Sequence, residues 1–281
     1  MRVSTQTITF LLAALLLPVL SWCSSAADTK IDRETPEKVL LAEAEQGNPD
    51  AQCWLAICYE IGLQDCDIDK SFGEEWFSKA AKHADEKLAT VQYSKAVCYA
   101  NGYGIVKTKD LEKAVEWYRK AAEQGFAPAQ CDLGLRYLKG EGGVSRNLDE
   151  GFQLFEKAAE QKYPLAYMYL YSCYTNGHGT RVNRDIGDSY FEKALDGRLP
   201  EAQYALGMNY LTAEANGTLI VNSFRIPALR GHAGAQCQMG NCYYYGIGGL
   251  GRNLQEAVKW WRKAAEQDNA SAKARLAQLG Y

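Results

Sequence analysis

The sequence predicts an all-α protein, a stack of helix-turn-helix units forming a solenoid. Three observations carry that expectation. Ala114, Trp117, Tyr118, Ala121 and Ala122 recur at three- and four-residue steps, the period of one face of a helix. In the same stretch, Gly125 stands where a helix would end in the left-handed region, and Pro128 falls in the first turn of the next helix, where its missing N–H costs nothing. Finally, a small residue opens a similar segment at Ala51, Val91, Ala129, Ala166, Ala202, Ala235 and Ala272, at steps of 40, 38, 37, 36, 33 and 37 residues. A period of that size marks a helical repeat protein.

The chain begins differently. Arg2 opens a short basic region, residues 8–20 are mostly apolar, and Ser24, Ser25, Ala26 and Ala27 follow. This is the layout of a secretory signal peptide, with cleavage expected after Ala27. The apolar run is short for a membrane span of roughly 20 residues. The expectation is an exported protein, periplasmic or secreted. Leu20-Ser21-Trp22-Cys23 is similar to a lipoprotein box, although Trp22 is large where that box wants a small residue. Outer-membrane lipid anchoring at Cys23 is the alternative. Residues 28–34 are polar and read as a flexible tether.

Residues 35–281 hold about six repeat units with a half-unit at each end. Residues 35–47, with Pro36 at the start, supply the first cap. The unit at residues 110–140 is the best formed. Asp110 can cap the first helix, Glu116 stands four residues before Lys120 in the order that favours a surface ion pair, and Gly134 would allow a partner helix to approach closely. A tyrosine stands eight residues after each of the first six anchors: Tyr59, Tyr99, Tyr137, Tyr174, Tyr210 and Tyr243. Glycine stands eleven after five of them, at Gly62, Gly102, Gly140, Gly177 and Gly246. The partner helices read GEEWFSKAA, KAVEWYRKAAEQG, GFQLFEKAAEQ, GDSYFEKAL and EAVKWWRKAAEQ. In the fifth unit, residues 219–229 lack the tryptophan and the double alanine, and Pro227 predicts a short or irregular element. Residues 272–281, with Lys273, Arg275 and Gln278, suit a terminal cap.

These segments resemble the Sel1-like repeat family, a relative of the tetratricopeptide repeat. Asn101-Gly-Tyr-Gly-Ile105 with residues 110–125, and Tyr245-Gly-Ile-Gly-Gly249 with residues 253–267, follow its pattern nearly throughout. The resemblance covers about 245 residues. It implies a right-handed α/α superhelix that binds protein partners, and a concave surface lined by the first helix of each unit. A cysteine-rich branch of the family bridges its two helix types with disulfides, and some of its members are described as β-lactamases.

Neither property of that branch has residues to carry it here. Beyond Cys23 there are eight cysteines. Cys53, Cys131 and Cys237 lie two residues after their anchors; Cys58, Cys98, Cys173 and Cys242 lie seven after; Cys66 falls in a loop where it could fold back on Cys58. The partner helices carry none, so bridges of that branch cannot form. The cysteines read either as small apolar fillers of repeat columns or as an exported chain's disulfides. Serine β-lactamase chemistry needs Ser-x-x-Lys, and no serine has a lysine three residues later. His83, His178 and His232 make no metal-ligand spacing. No catalytic, metal or cofactor residues are expected, and a net charge of −3 gives no reason to expect nucleic acid.

The remaining functional signal is a set of columns. On a helical wheel, positions 0, 4, 8 and 11 after each anchor form a buried stripe, and positions 2, 6 and 9 point away from it. Those away-facing columns carry almost no charge. They include Tyr93, Val97, Leu135, Leu138, Met168, Tyr204, Met208 and Tyr244. Two readings stay open: a groove for a protein or peptide partner, or the solenoid filling its own inner face. The expected function is a non-enzymatic exported scaffold or adaptor. A cell-envelope hydrolase, on the resemblance to the β-lactamase-like branch, is the alternative.

Overall fold

A computed structural model describes residues 31–63, 66–212 and 217–281. The expected signal peptide over residues 1–27, with Cys23, and the first part of the expected tether lie outside the described residues. Among the described residues every regular element is helical. The first cap is α1 (Glu37–Glu45), followed by α2 (Pro49–Ile61), α3 (Lys70–Ala81), α4 (Ala89–Asn101), α5 (Leu111–Glu123), α6 (Ala127–Lys139) and α7 (Leu148–Glu160). Next come α8 (Pro164–Asn176), α9 (Arg184–Asp196), α10 (Pro200–Thr212), α11 (Gly217–Leu229), α12 (Ala233–Tyr245), a 3-10 turn (Ile247–Gly249), α13 (Leu254–Glu266) and the last cap α14 (Ala270–Gln278). The even-numbered helices carry the anchors, all fully buried. Their odd-numbered neighbours from α3 to α13 are the partners.

The repeated turn residues act through the backbone. Asp69, Asp110, Asn147, Asn183 and Asn253 each cap a partner helix, accepting the N–H of Phe72, Lys113, Glu150, Ile186 and Glu256. The N–H of each capping residue in turn donates to the carbonyl of the repeated tyrosine: Tyr59, Tyr99, Tyr137, Tyr174 or Tyr243, at 2.8–2.9 Å. The glycine three residues after the tyrosine ends the first helix at φ between 68° and 79°, a conformation that costs glycine little. One local expectation differs: Lys120 lies 4.0 Å over the Trp117 ring and forms no ion pair with Glu116. The adjacent indole gives the lysine stem an apolar surface and its ammonium a π face.

The two helix types pack differently. Helix α4 buries ten of its residues, on all sides, whereas α5 buries only Ala114, Val115, Tyr118, Ala121 and Ala122. In the first three units the first helices are therefore an inner layer and the partner helices an outer layer with one wet face, whereas α8 and α10 bury only four and three residues. Each partner helix seats an aromatic ring in the core at the same repeat position, Phe77, Tyr118, Phe155, Phe191, Phe224 or Trp261, and α3 and α7 bury Trp76 and Phe152 as well. In three units a glycine on the facing helix makes room. A Cβ on Gly134 would stand 2.8 Å from Phe155, and one on Gly207 or Gly240 would stand 2.5 Å from Phe224 or Trp261.

The fifth unit corrects a sequence expectation. Residues 217–229 form a full 13-residue helix that includes Pro227. Phe224 keeps the packing ring although Ser223 replaces the first aromatic of the usual pair. Pro227 and Ala228 take the place of the two alanines and are both buried. Proline costs one intrahelical hydrogen bond near the C-terminal end, and packing of Ile220, Val221 and Phe224 outweighs it.

All eight described cysteines are free thiols and buried, and no disulfide joins them. Cys66 does fold back, with its thiol within hydrogen-bond reach of Cys58. Residues 31–34, placed in the tether by the sequence, lie against the stack. Ile31 packs on the core, and Arg33 donates to the carbonyl of Lys162 at 3.0 Å.

The stack also closes on itself. The loop after α2 reaches the turns that follow α9 and α11. Arg230 donates to the carbonyls of Gly62, Cys66 (3.3 Å) and Arg198 (2.9 Å). The Ile68 N–H returns a 2.6 Å bond to the Arg230 carbonyl. The first unit thus meets the turns around Arg198 and Arg230, and the inner layer partly surrounds the space it lines.

Candidate functional site

That space contains two adjoining cavities. The smaller is about 250 Å³ and lies among α2, α4 and α6, with Phe77, Tyr118, Tyr163 and Tyr169 completing its wall. The larger, about 570 Å³, continues past Met168 and Ser172 toward Glu201 and His232. Glu60, Ile61, Leu165 and Tyr169 line both.

The small cavity is mostly aromatic and apolar but holds ionisable groups. Asp132, three residues into the third unit's repeat segment, accepts a 2.9 Å hydrogen bond from the Tyr93 hydroxyl. Desolvation is the main influence on its carboxyl and raises it from 3.8 to about 6, against the opposing effects of Tyr93 and Arg136. Burial also raises Glu60, with Asp132 and Glu74 adding to the rise and Lys70 opposing it. The Glu60 carboxylate makes no hydrogen bond or ion pair among the described residues. Arg136 faces the same cavity, but its guanidinium is engaged by Glu141. Tyr93, Tyr118 and Tyr163 are held well above the usual phenol range, chiefly by burial. They are neutral hydroxyls with π faces.

The column residues separate. Tyr93 and Val97 are buried in the wall of the small cavity. Met168 lines the larger one. Tyr204 lines a third hollow of about 440 Å³ at the C-terminal end, beside Cys237 and Arg275. Leu138 packs on Gly151 of its own partner helix, and Tyr244 lies 5.6 Å from Trp261 of its own partner helix. Met208 accepts a contact from Gln238 of the next unit at 3.5 Å, and Leu135 is half-buried outside the three hollows. The columns therefore do not form one continuous surface. Asp132, Arg136 and Tyr169, at positions 3 and 7 after their anchors, were missed by a wheel that gave positions 2, 6 and 9 the inner face. One signal was available. Position 3 carries Trp54, Ser94, Tyr169, Ala205 and Gln238 in the other units, and a carboxylate only at Asp132.

The fold and the repeated turns define a helical repeat protein. Comparison with known proteins makes this specific: the Sel1 repeat family matches residues 49–85, 88–126, 127–163, 165–197, 200–218 and 233–269. The chain belongs to the Sel1 repeat family. It is 30% identical over 206 residues to Chitin synthase regulatory factor 3 of Schizosaccharomyces pombe, covering 73% of this chain and 18% of that protein. It is 32% identical over 177 residues to DAP3-binding cell death enhancer 1 of Rattus norvegicus, covering 62% of this chain and 34% of that protein. The chain thus spans about a third of the length of one of these relatives and less than a fifth of the other. A crystal structure of a Sel1 repeat protein from Oxalobacter formigenes superposes with a TM-score of 0.55 at 31% identity, covering 86% of this chain and 69% of the other. Among the described residues no helix is long and apolar enough to cross a membrane.

Proposed function

We propose that this protein is a non-enzymatic adaptor that holds a protein partner against the inner face of its closed repeat stack, and that it does so after export. The observation that carries the adaptor reading is Asp132. A carboxylate kept desolvated in a tyrosine-lined cavity disfavours folding, and such groups concentrate at functional sites. Names of related proteins support the same reading: one is a regulatory factor of an enzyme and another is a binding protein. Export rests on the basic, apolar and small-residue order of residues 1–27.

Site-specific crosslinking tests the adaptor reading. A photoreactive benzophenone amino acid at Met168, in the larger cavity, is expected to give a protein adduct in the native cell. The same residue at Arg119, exposed on the outer face of α5, is expected to give none. Adducts from Arg119 alone would place the binding surface elsewhere. Export is tested by N-terminal sequencing of the mature chain, which should begin at Asp28. A cytoplasmic chain beginning at Met1 would end that part of the proposal.

A further inference from the structure

The small cavity has a chemistry of its own. Its volume of about 250 Å³ lies below the roughly 300–1,000 Å³ of pockets that enclose whole small molecules. It suits one side chain, with the chain that carries it lying in the larger cavity next door. Two carboxylates face it, from Asp132 and Glu60, and Asp132 disfavours ionisation of Glu60. The cations nearby offset them only in part: Arg136, bonded to Glu141, opposes the rise of Asp132 without cancelling it, and Glu60 stays raised despite Lys70. Around the carboxylates stand the rings of Tyr93, Tyr118, Tyr163 and Tyr169, with Tyr93 and Tyr118 centred 5.8 Å apart. Tyrosine π faces attract a cation, most strongly where water is excluded.

We propose that this cavity receives the ammonium group of a single lysine side chain, carried by the protein partner that lies along the inner face. The inference rests on the adaptor reading above and adds the chemistry of recognition. An ammonium between Asp132 and Glu60 relieves their mutual repulsion and repays their lost hydration. A lysine fits better than an arginine. The guanidinium prefers a carboxylate with both oxygens available, and one oxygen of Asp132 already accepts from Tyr93. The ammonium is a compact point charge that needs only the other. Met168 and Ser172 offer the partner's backbone a mixed apolar and polar bed, and the Glu201–His232 pair, 2.6 Å apart, stands at the far end.

The test uses the whole protein with carbon-13-labelled tyrosine, titrated with Nα-acetyl-lysine N-methylamide. Its norleucine counterpart, of similar shape but uncharged, is titrated in parallel. The expected result is saturable movement of the Tyr93, Tyr118 and Tyr163 ring signals, with affinity for the lysine compound at least about tenfold higher. Asp132→Asn and Glu60→Gln should each lose about tenfold of that affinity while circular dichroism stays native. Affinity should also rise between about pH 5 and pH 7.5 as Asp132 ionises. Equal affinity for the two compounds, no saturable movement, or an unchanged affinity in folded Asp132→Asn would each overturn the proposal. Loss of lysine preference with crosslinking from Met168 intact would remove the recognition chemistry alone. Loss of both would remove the adaptor reading as well.

Discussion

At the scale of single residues, Asp132 shows a site in tension with stability. Its unfolded carboxyl titrates near 3.8 and its folded carboxyl near 6. The folded state therefore holds its proton to higher pH. The penalty for burying the charge is absent below about pH 4, grows as pH rises through that interval and is complete above about pH 6. Its size is about 3 kcal/mol. Asp132→Asn keeps an oxygen for the Tyr93 hydroxyl and removes the charge. It should raise the apparent melting temperature by roughly 5 °C at pH 7.5, with the gain vanishing near pH 4. A melting series that shows the same difference at both pH values would mean that Asp132 ionisation does not burden the fold. The thiols make a contrast. Burial pushes Cys98 and Cys242 up to about 11 and Cys173 to about 12, so they are packing groups rather than nucleophiles.

At the scale of helices, two devices hold neighbours together, and they differ in how far the sequence reveals them. The first is close approach. A Cβ on Gly134 would lie 3.1 Å from the Gly151 carbonyl as well as against Phe155. Gly134→Leu should therefore cost roughly 1–3 kcal/mol by overpacking, and a thermal melt unchanged by the substitution would remove that contact from the account. This device was legible because alanines and glycines recur at the repeat period. The second is a set of glutamine contacts, in which Gln52, Gln92, Gln130 and Gln236 are buried. Gln52 and Gln236 donate to the carbonyls of Ala44 and Ala228 at 3.0 and 3.2 Å. Gln124, Gln161 and Gln267, just past the ends of the partner helices, donate to Gln92, Gln130 and Gln236 at 2.8–2.9 Å. Gln236→Leu should cost roughly 1–2 kcal/mol by removing the amide that bonds both Gln267 and the Ala228 carbonyl, which keeps only the Gly231 N–H, measured by urea unfolding. No destabilisation would mean that water replaces the amide. The glutamines recur in register as plainly as the alanines do, but periodicity of polar residues does not say which face they join. The fifth partner helix was misread for a related reason. Proline propensity is local, whereas the ring of Phe224 in the hollow beside Gly207 is a tertiary contact that propensity does not see.

At the scale of the whole molecule, the closure is what turns an inner layer into a cavity, and it was not legible in the sequence. Repeat spacing reports contacts between successive units, so the stack and its caps could be read from anchors 33–40 residues apart. The contact between Arg230 and the carbonyls of Gly62 and Cys66 spans more than 160 residues and has no period to betray it. It depends on accumulated curvature. Two glycines permit it. A Cβ on Gly62 would meet Pro200 at 2.9 Å, and one on Gly231, at φ 91°, would meet the Ile68 carbonyl at 2.6 Å. Arg230→Leu keeps much of the buried volume but removes every guanidinium donor. It should lower stability by roughly 3 kcal/mol, because carbonyls sequestered at the closure lose charged partners. It should also loosen the closure, since units in a solenoid otherwise touch only their neighbours. Small-angle X-ray scattering on the folded variant should show a larger radius of gyration than the parent. An unchanged radius would mean that curvature alone, without the Arg230 latch, holds the first unit against the fifth.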